Sequence, residues 1–216
     1  MKRRQVLTGV ASLPILYTTE LAADTAPSFL HGVASGDPDQ ESVVIWTRVS
    51  GLTKSHSVSW QMGLDSKFQQ IVSYGGETTN QYQDYTVKAV VDGLEPGKNY
   101  FYRFSCRGVI SPIGRTRTLP KGDIDSLGLA IASCSNYAFG FFNGYDAIAR
   151  DDAVDFVLHL GDYIYEYAAT GWGAQTALAL NRAHTPINEI VSLQDYRVRH
   201  AQYKADPDSQ RMHAAK

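Results

Sequence analysis

Short runs in which apolar and polar side chains alternate fill the first half of the chain, and a period of two admits strands packed on one face and little else. Val58, Trp60 and Met62 share a face; so do Tyr85, Val87, Ala89 and Val91, with Thr86 and Lys88 opposite; so do Tyr100, Tyr102, Phe104 and Cys106, with Phe101, Arg103 and Ser105 opposite. Val43-Val44-Ile45-Trp46-Thr47-Arg48 is a further strand candidate. Gly36-Asp37-Pro38-Asp39, Gly75-Gly76, Asp92-Gly93 and Glu95-Pro96-Gly97 separate these runs with residues that turn the chain. About seven short strands at such spacing predict a β-sandwich. With 44% hydrophobic and 19% charged residues, the composition suits a folded protein and argues against wholesale disorder. The net charge of -2 provides no global basic field for nucleic acid or anionic lipid. The two cysteines are too few for a disulfide framework. No apolar run reaches the roughly 18 residues of a spanning helix.

Leu94-Glu95-Pro96-Gly97-Lys98-Asn99-Tyr100 resembles the L-x-P-x-x-x-Y corner of fibronectin type III domains, where a tyrosine hydroxyl bonds back to the preceding turn. Trp60 is expected on a central strand as the large core plug, and Cys106 as a small packed apolar residue. His31 and His56 fall at turns or strand ends. Nothing in this half points to chemistry.

After Leu119-Pro120-Lys121-Gly122-Asp123 the rhythm changes. Leu127-Gly128-Leu129-Ala130-Ile131-Ala132 is a nearly continuous apolar run, which predicts a strand buried on both faces. A loop from Ser133 to Asn143 follows, then a short helix with Tyr145, Ile148 and Ala149 on one face, then a strand over Asp155–Leu160 ending at Gly161-Asp162. Strand, helix and strand at this spacing predict a βαβ unit with parallel strands. Parallel strands deliver their C-terminal loops to one edge, where ligands bind. Cys134 lies just past the first strand, Asp162 just past the second, and Tyr165 three residues on. If the strands are neighbours, a thiolate, a carboxylate and a phenolate converge in one coordination sphere. Three anionic donors call for a strongly positive partner. A trivalent iron ion fits, because it holds a coordinated thiol or phenol in its anionic form. Zinc more usually recruits further Cys or His. A second oxygen on Asp162 is free to bridge to a harder ion such as Ca²⁺. The plainer alternative makes Cys134 a buried structural cysteine, Asp162 a turn acid and Tyr165 a packed aromatic.

The N-terminus has the order of an export signal: Lys2, Arg3 and Arg4, an apolar run from Val6 to Tyr17 broken by Pro14, then the small residues Ala22, Ala23 and Ala26. Arg3-Arg4 followed by Gln5-Val6-Leu7 is similar to a twin-arginine signal, although Lys2 and Val6 depart from its usual residues. The alternative is a basic terminus with a short helix.

Ser133-Cys134-Ser135-Asn136-Tyr137 and Asp155-Phe156-Val157-Leu158-His159-Leu160-Gly161-Asp162-Tyr163-Ile164-Tyr165-Glu166-Tyr167 resemble the PhoD-type alkaline phosphatases and phosphodiesterases. His31-Gly32-Val33-Ala34-Ser35-Gly36-Asp37-Pro38 and Val44-Ile45-Trp46-Thr47-Arg48 resemble that family's N-terminal sandwich domain, and Ser111–Pro120 its exit into the catalytic domain. The resemblance implies a fibronectin type III-like β-sandwich over 28–119, the start of an α/β metallophosphatase-like domain over 124–216, and a twin-arginine-like export signal over 1–26 that engages the twin-arginine machinery and delivers the protein to the periplasm or beyond. It implies metal-dependent hydrolysis of phosphate esters, with Fe³⁺ held by Cys134, Asp162 and Tyr165 and Ca²⁺ sharing Asp162. Asn136 either steadies the Cys134 loop or makes a plain turn. His159 reads as a core histidine rather than a ligand, and Glu166 and Trp172 as neighbours of the site or surface residues.

The tail departs from the family. Ser192-Leu193-Gln194-Asp195 opens a helix with a capping box. Leu193–Ala201 and Asp206-Pro207-Asp208 still resemble the family, but its later W-D-D-H-E motif and further Asp and His ligands do not follow. The expectation is therefore a C-terminally truncated, inactive fragment, the alternative being a non-catalytic remnant or binding module in which the sandwich alone folds stably. The stretch from Ala168 to Ile190, with Gly171, Gly173 and Pro186, is expected to be a mobile loop.

Overall fold

A computed structural model describes residues 24–216. The export-signal reading falls almost wholly on residues 1–23, outside the described ones.

The alternating runs become eight strands: β1 (Val33–Gly36), β2 (Val43–Arg48), β3 (His56–Gly63), β4 (Ile71–Thr79), β5 (Thr86–Val91), β6 (Asn99–Cys106), β7 (Val109–Ile110) and β8 (Gly114–Arg117). One sheet has the order β1-β2-β5, and the other β4-β3-β6-β7 with β8 also paired to β6. Every pairing in both is antiparallel. Alternate residues of β2, β3, β5 and β6 meet in one core with Val33 of β1; it includes Ile45 from the first sheet and Val58, Met62, Tyr102 and Phe104 from the second. Trp60 sits on β3, between β4 and β6, opposite Gly75. A Cβ on Gly75 would stand 2.5 Å from the indole, so glycine there lets the ring lie across β4. The Glu95 N–H donates to the Tyr100 hydroxyl at 2.8 Å, which fixes the corner that the sequence predicts. Cys106 is buried in the core and unpaired. His56 begins β3 and meets Asp24 at 2.5 Å, while His31 lies buried in a turn beside Arg48.

The next strands are β9 (Leu129–Ala132) and β10 (Phe156–His159), joined by α1 (Asn143–Arg150). They pair in parallel, with Ala132 opposite His159. Helices α2 (Ala174–Leu180), α3 (Leu193–Lys204) and α4 (Pro207–Ala215) follow. Helix α3 starts at the expected capping box: Ser192 Oγ accepts from the Asp195 N–H at 3.2 Å, and Asp195 accepts from the Ser192 N–H at 3.0 Å. Phe142, Tyr145, Tyr203 and Met212 form the buried centre of this part, with Ala132 and Val157 packed against it.

Two expectations fail here. Strand β9 is not buried on both faces, since Leu129 is 53% and Ile131 65% exposed. Among the described residues, the sheet has two strands. The small Ala132 and the β10 residue Val157 turn to the aromatic cluster, while Leu158 and Leu160 join the open row. Nor is 168–190 a structureless loop. It contains α2, and buried Arg199 of α3 donates to the carbonyls of Thr185 and Pro186, both at 3.0 Å.

The sandwich-side sheets and the helical part are in contact. Arg117 pairs with Asp155 just before β10. Lys204 Nζ lies 4.9 Å from the Trp46 ring centroid, and Trp46 meets His200 edge-on at 6.3 Å. Gln210 Nε2 donates to the Leu30 carbonyl at 2.9 Å. Burial pushes His31 and His200 down to about 4, with Arg48 and Lys204 nearby adding to it. The Trp46 face favours an ammonium, but burial outweighs it and brings Lys204 down to about 7.

Candidate metal centre

The parallel register determines where the donors lie. Beyond the last paired residues, Leu160 N–H donates to the Ala132 carbonyl at 2.9 Å and Cys134 N–H to the Gly161 carbonyl at 3.2 Å, so the two strand exits stay side by side. Both exits then bend sharply. Cys134 has φ 56° and Asp162 φ 50°, the left-handed region that side-chain-bearing residues seldom occupy. Such conformations cluster where a chain must aim a functional group.

The bends bring the three sequence-predicted residues together. Cys134 Sγ lies 3.6 Å from Asp162 Oδ2, and Tyr165 Oη lies 3.3 Å from the same oxygen. Cys134 and Asp162 are exposed, and Tyr165 is half-buried. Two donors about 2.0–2.3 Å from one ion stand roughly 3–3.7 Å apart, so a thiolate, a carboxylate and a phenolate at these separations fit a single cation. Desolvation, and then the proximity of Cys134 and Asp162, raise the Tyr165 hydroxyl well above its ordinary value, and a cation among the three would act in the opposite sense. Among the described residues, no three His, Cys, Asp or Glu gather for a metal. The set needs its tyrosine.

The neighbours have other work. His159 Nε2 lies 3.0 Å from the Tyr145 hydroxyl, and its Nδ1 accepts from the Gly161 N–H at 3.3 Å. Burial lowers its pKa, and it stays with the inner aromatic layer. Asn136 Oδ1 accepts from the Ala138 N–H at 2.9 Å and touches His184 Nε2 at 3.2 Å, which braces the loop after Cys134. Glu166 and Trp172 are exposed.

Arg199 is the residue that sequence reasoning missed. It is fully buried, and it donates to the carbonyls of Tyr165 and Tyr167 as well as to those of Thr185 and Pro186. It therefore ties the backbone of one candidate ligand to α3. Its position between Tyr196 and Tyr203 on a helical stripe was the only trace in the sequence.

The family described as PhoD-like phosphatase, N-terminal domain, matches residues 17–120, and the family described as PhoD-like phosphatase matches residues 129–216. Alkaline phosphatase D of Bacillus subtilis (strain 168) is 41% identical over 197 residues, covering 87% of this chain and 33% of its own length. A solved structure described as "Structure of PhoD" is similar with a TM-score of 0.79 at 39% identity, covering 87% of this chain and 37% of that one. The chain thus spans about a third of the length of these relatives.

Proposed function

This chain belongs to the PhoD-like phosphatase family, and from that membership we propose that it contributes to metal-dependent hydrolysis of phosphate mono- or diesters. The observation that carries the reading is the meeting of Cys134, Asp162 and Tyr165 around one carboxylate oxygen. In this reading they would hold Fe³⁺, and Asp162 would also help to hold Ca²⁺. Such ions, when bound, would supply positive charge to a phosphoryl group and lower the pKa of an attacking water.

The rest is the work of the chain itself. The left-handed turns at Cys134 and Asp162 aim sulfur and carboxylate at one point. Arg199 holds the Tyr165 backbone so that the phenol reaches that point. Asn136 fixes the return of the Cys134 loop.

We also read residues 28–119 as a fibronectin type III-like sandwich, supported by the Tyr100 corner, and 124–216 as the opening of a metallophosphatase-like domain. Residues 1–26 are read as a twin-arginine-type export signal, which a reporter fusion tests: replacing Arg3 and Arg4 by Lys should keep the reporter inside the cell.

The site is tested by loading the protein with ferric iron. A visible charge-transfer band is expected, lost or displaced in Cys134→Ala. A band unchanged by that substitution would remove the thiol from the site, and no band at all would refute the iron reading.

A further inference from the structure

Next to the three donors lies a run of rings that the metal chemistry does not use. Tyr165 and Tyr167 are nearly parallel, 6.0 Å apart with 19° between planes. Trp172 lies 6.4 Å from Tyr165 and 5.5 Å from Tyr167. Phe139 lies 4.4 Å from Trp172. The run therefore starts at a candidate metal ligand and ends on the loop that follows Cys134. There Phe139 also lines an open cleft of about 250 Å³ with Asn136, Phe141 and Phe142. Trp172 is 59% exposed and Phe139 41%.

Local backbone geometry makes room for this contact. Gly173 has φ +88°, and a Cβ there would stand 2.7 Å from the Phe139 ring. A side chain at 173 would push Phe139 off the indole. An exposed indole packed at a 52° tilt against a phenyl ring costs hydration free energy that burial under a flat apolar group would recover.

We propose that Trp172 and Phe139 form a binding platform for the organic group of the phosphoester, and so select esters of aromatic or flat apolar alcohols over esters of small polar ones. The proposal rests on the phosphoryl group sitting at Cys134, Asp162 and Tyr165. From there a substituent reaches Trp172 directly, because Tyr165 belongs to both the donor set and the ring run.

The test is calorimetric titration of phenylphosphonate and of methylphosphonate onto the iron-loaded chain. Phenylphosphonate should bind about tenfold more tightly, a preference of the size that aromatic contacts plus area burial provide. Trp172→Ala should bring the preference to within about twofold, the loss falling chiefly on phenylphosphonate, whereas Trp172→Phe should keep most of it. Phe139→Leu, which holds volume but removes the ring face, should also lower it, and it serves if Trp172→Ala does not fold. Equal binding of the two phosphonates by the unsubstituted chain would overturn the platform while sparing the phosphoryl site. So would a preference that survives both Trp172→Ala and Phe139→Leu, including one accompanied by a lowered melting temperature. Binding of neither phosphonate would overturn the phosphoryl site, and the platform with it.

Discussion

Arg199 is a buried cation satisfied by backbone carbonyls, and replacing it with methionine isolates that role. The substitution roughly conserves the stem and removes every guanidinium donor. It strands the carbonyls of Tyr165, Tyr167, Thr185 and Pro186 in a site where Arg199 itself has no exposure. A buried acceptor left without a donor costs about 1–3 kcal/mol. Taking about 1 kcal/mol for each carbonyl, because some will relax towards water, gives about 4 kcal/mol. Removing the desolvated charge offsets part of this, which leaves about 3 kcal/mol. For a chain of this size the loss corresponds to a fall of roughly 6–12 °C in melting temperature. Arg199→Lys keeps the charge and fewer donors, so it should lie between. Thermal melting followed by circular dichroism measures the loss. The iron band reports separately, since freeing the Tyr165 backbone should weaken or shift it. A methionine variant within about 1 kcal/mol of the parent, with its iron band intact, would refute the assignment of Arg199 as the anchor of this segment.

Two further outcomes are expected. Gly114→Ala places a Cβ 2.2 Å from the Tyr102 ring, so it should destabilise the two-sheet part by about 1–3 kcal/mol; a neutral urea midpoint would mean that β8 moves freely against β6. Stability should also rise with pH in two steps. His31 and His200 are held down at about 4 from an ordinary 6.5. Their contribution is therefore complete above 6.5 and lost as pH falls towards 4. Lys204, at about 7 against 10.5, contributes fully above 10.5 and loses that contribution as pH falls towards 7. Lys204→Met should flatten the upper rise of melting temperature and, by removing a charge that adds to the lowering of His31 and His200, make the lower one smaller without abolishing it; an upper rise that persists in this variant would exclude Lys204 as its source.

Much of the two-sheet part could be read before any coordinates, because alternation along β3, β5 and β6 gives each side chain a face. The same logic misreads β9. Leu129, Ala130, Ile131 and Ala132 are all apolar, and a continuous run does not reveal whether its larger members face a second layer or, as here, the open side. The order of 168–190 was invisible for a different reason. It depends on one distant arginine reaching backbone carbonyls, a bond that leaves no mark on local pattern. Strand-end reasoning located Cys134, Asp162 and Tyr165, and the turns at φ 56° and 50° supply the convergence that spacing alone could not. Phe139 and Trp172 are far apart in the chain and share no period, so their contact emerges only in the fold.

The open row of Leu129, Ile131, Leu158 and Leu160 has a practical consequence. Two parallel strands that, among the described residues, pair only with each other and carry four aliphatic side chains on one side form an adhesive strip. Handled as a free polypeptide, these residues will drive concentration-dependent clumping that salting-out ions worsen and mild detergent reverses. Replacing Ile131 and Leu158 with threonine is the simplest route to a well-behaved sample.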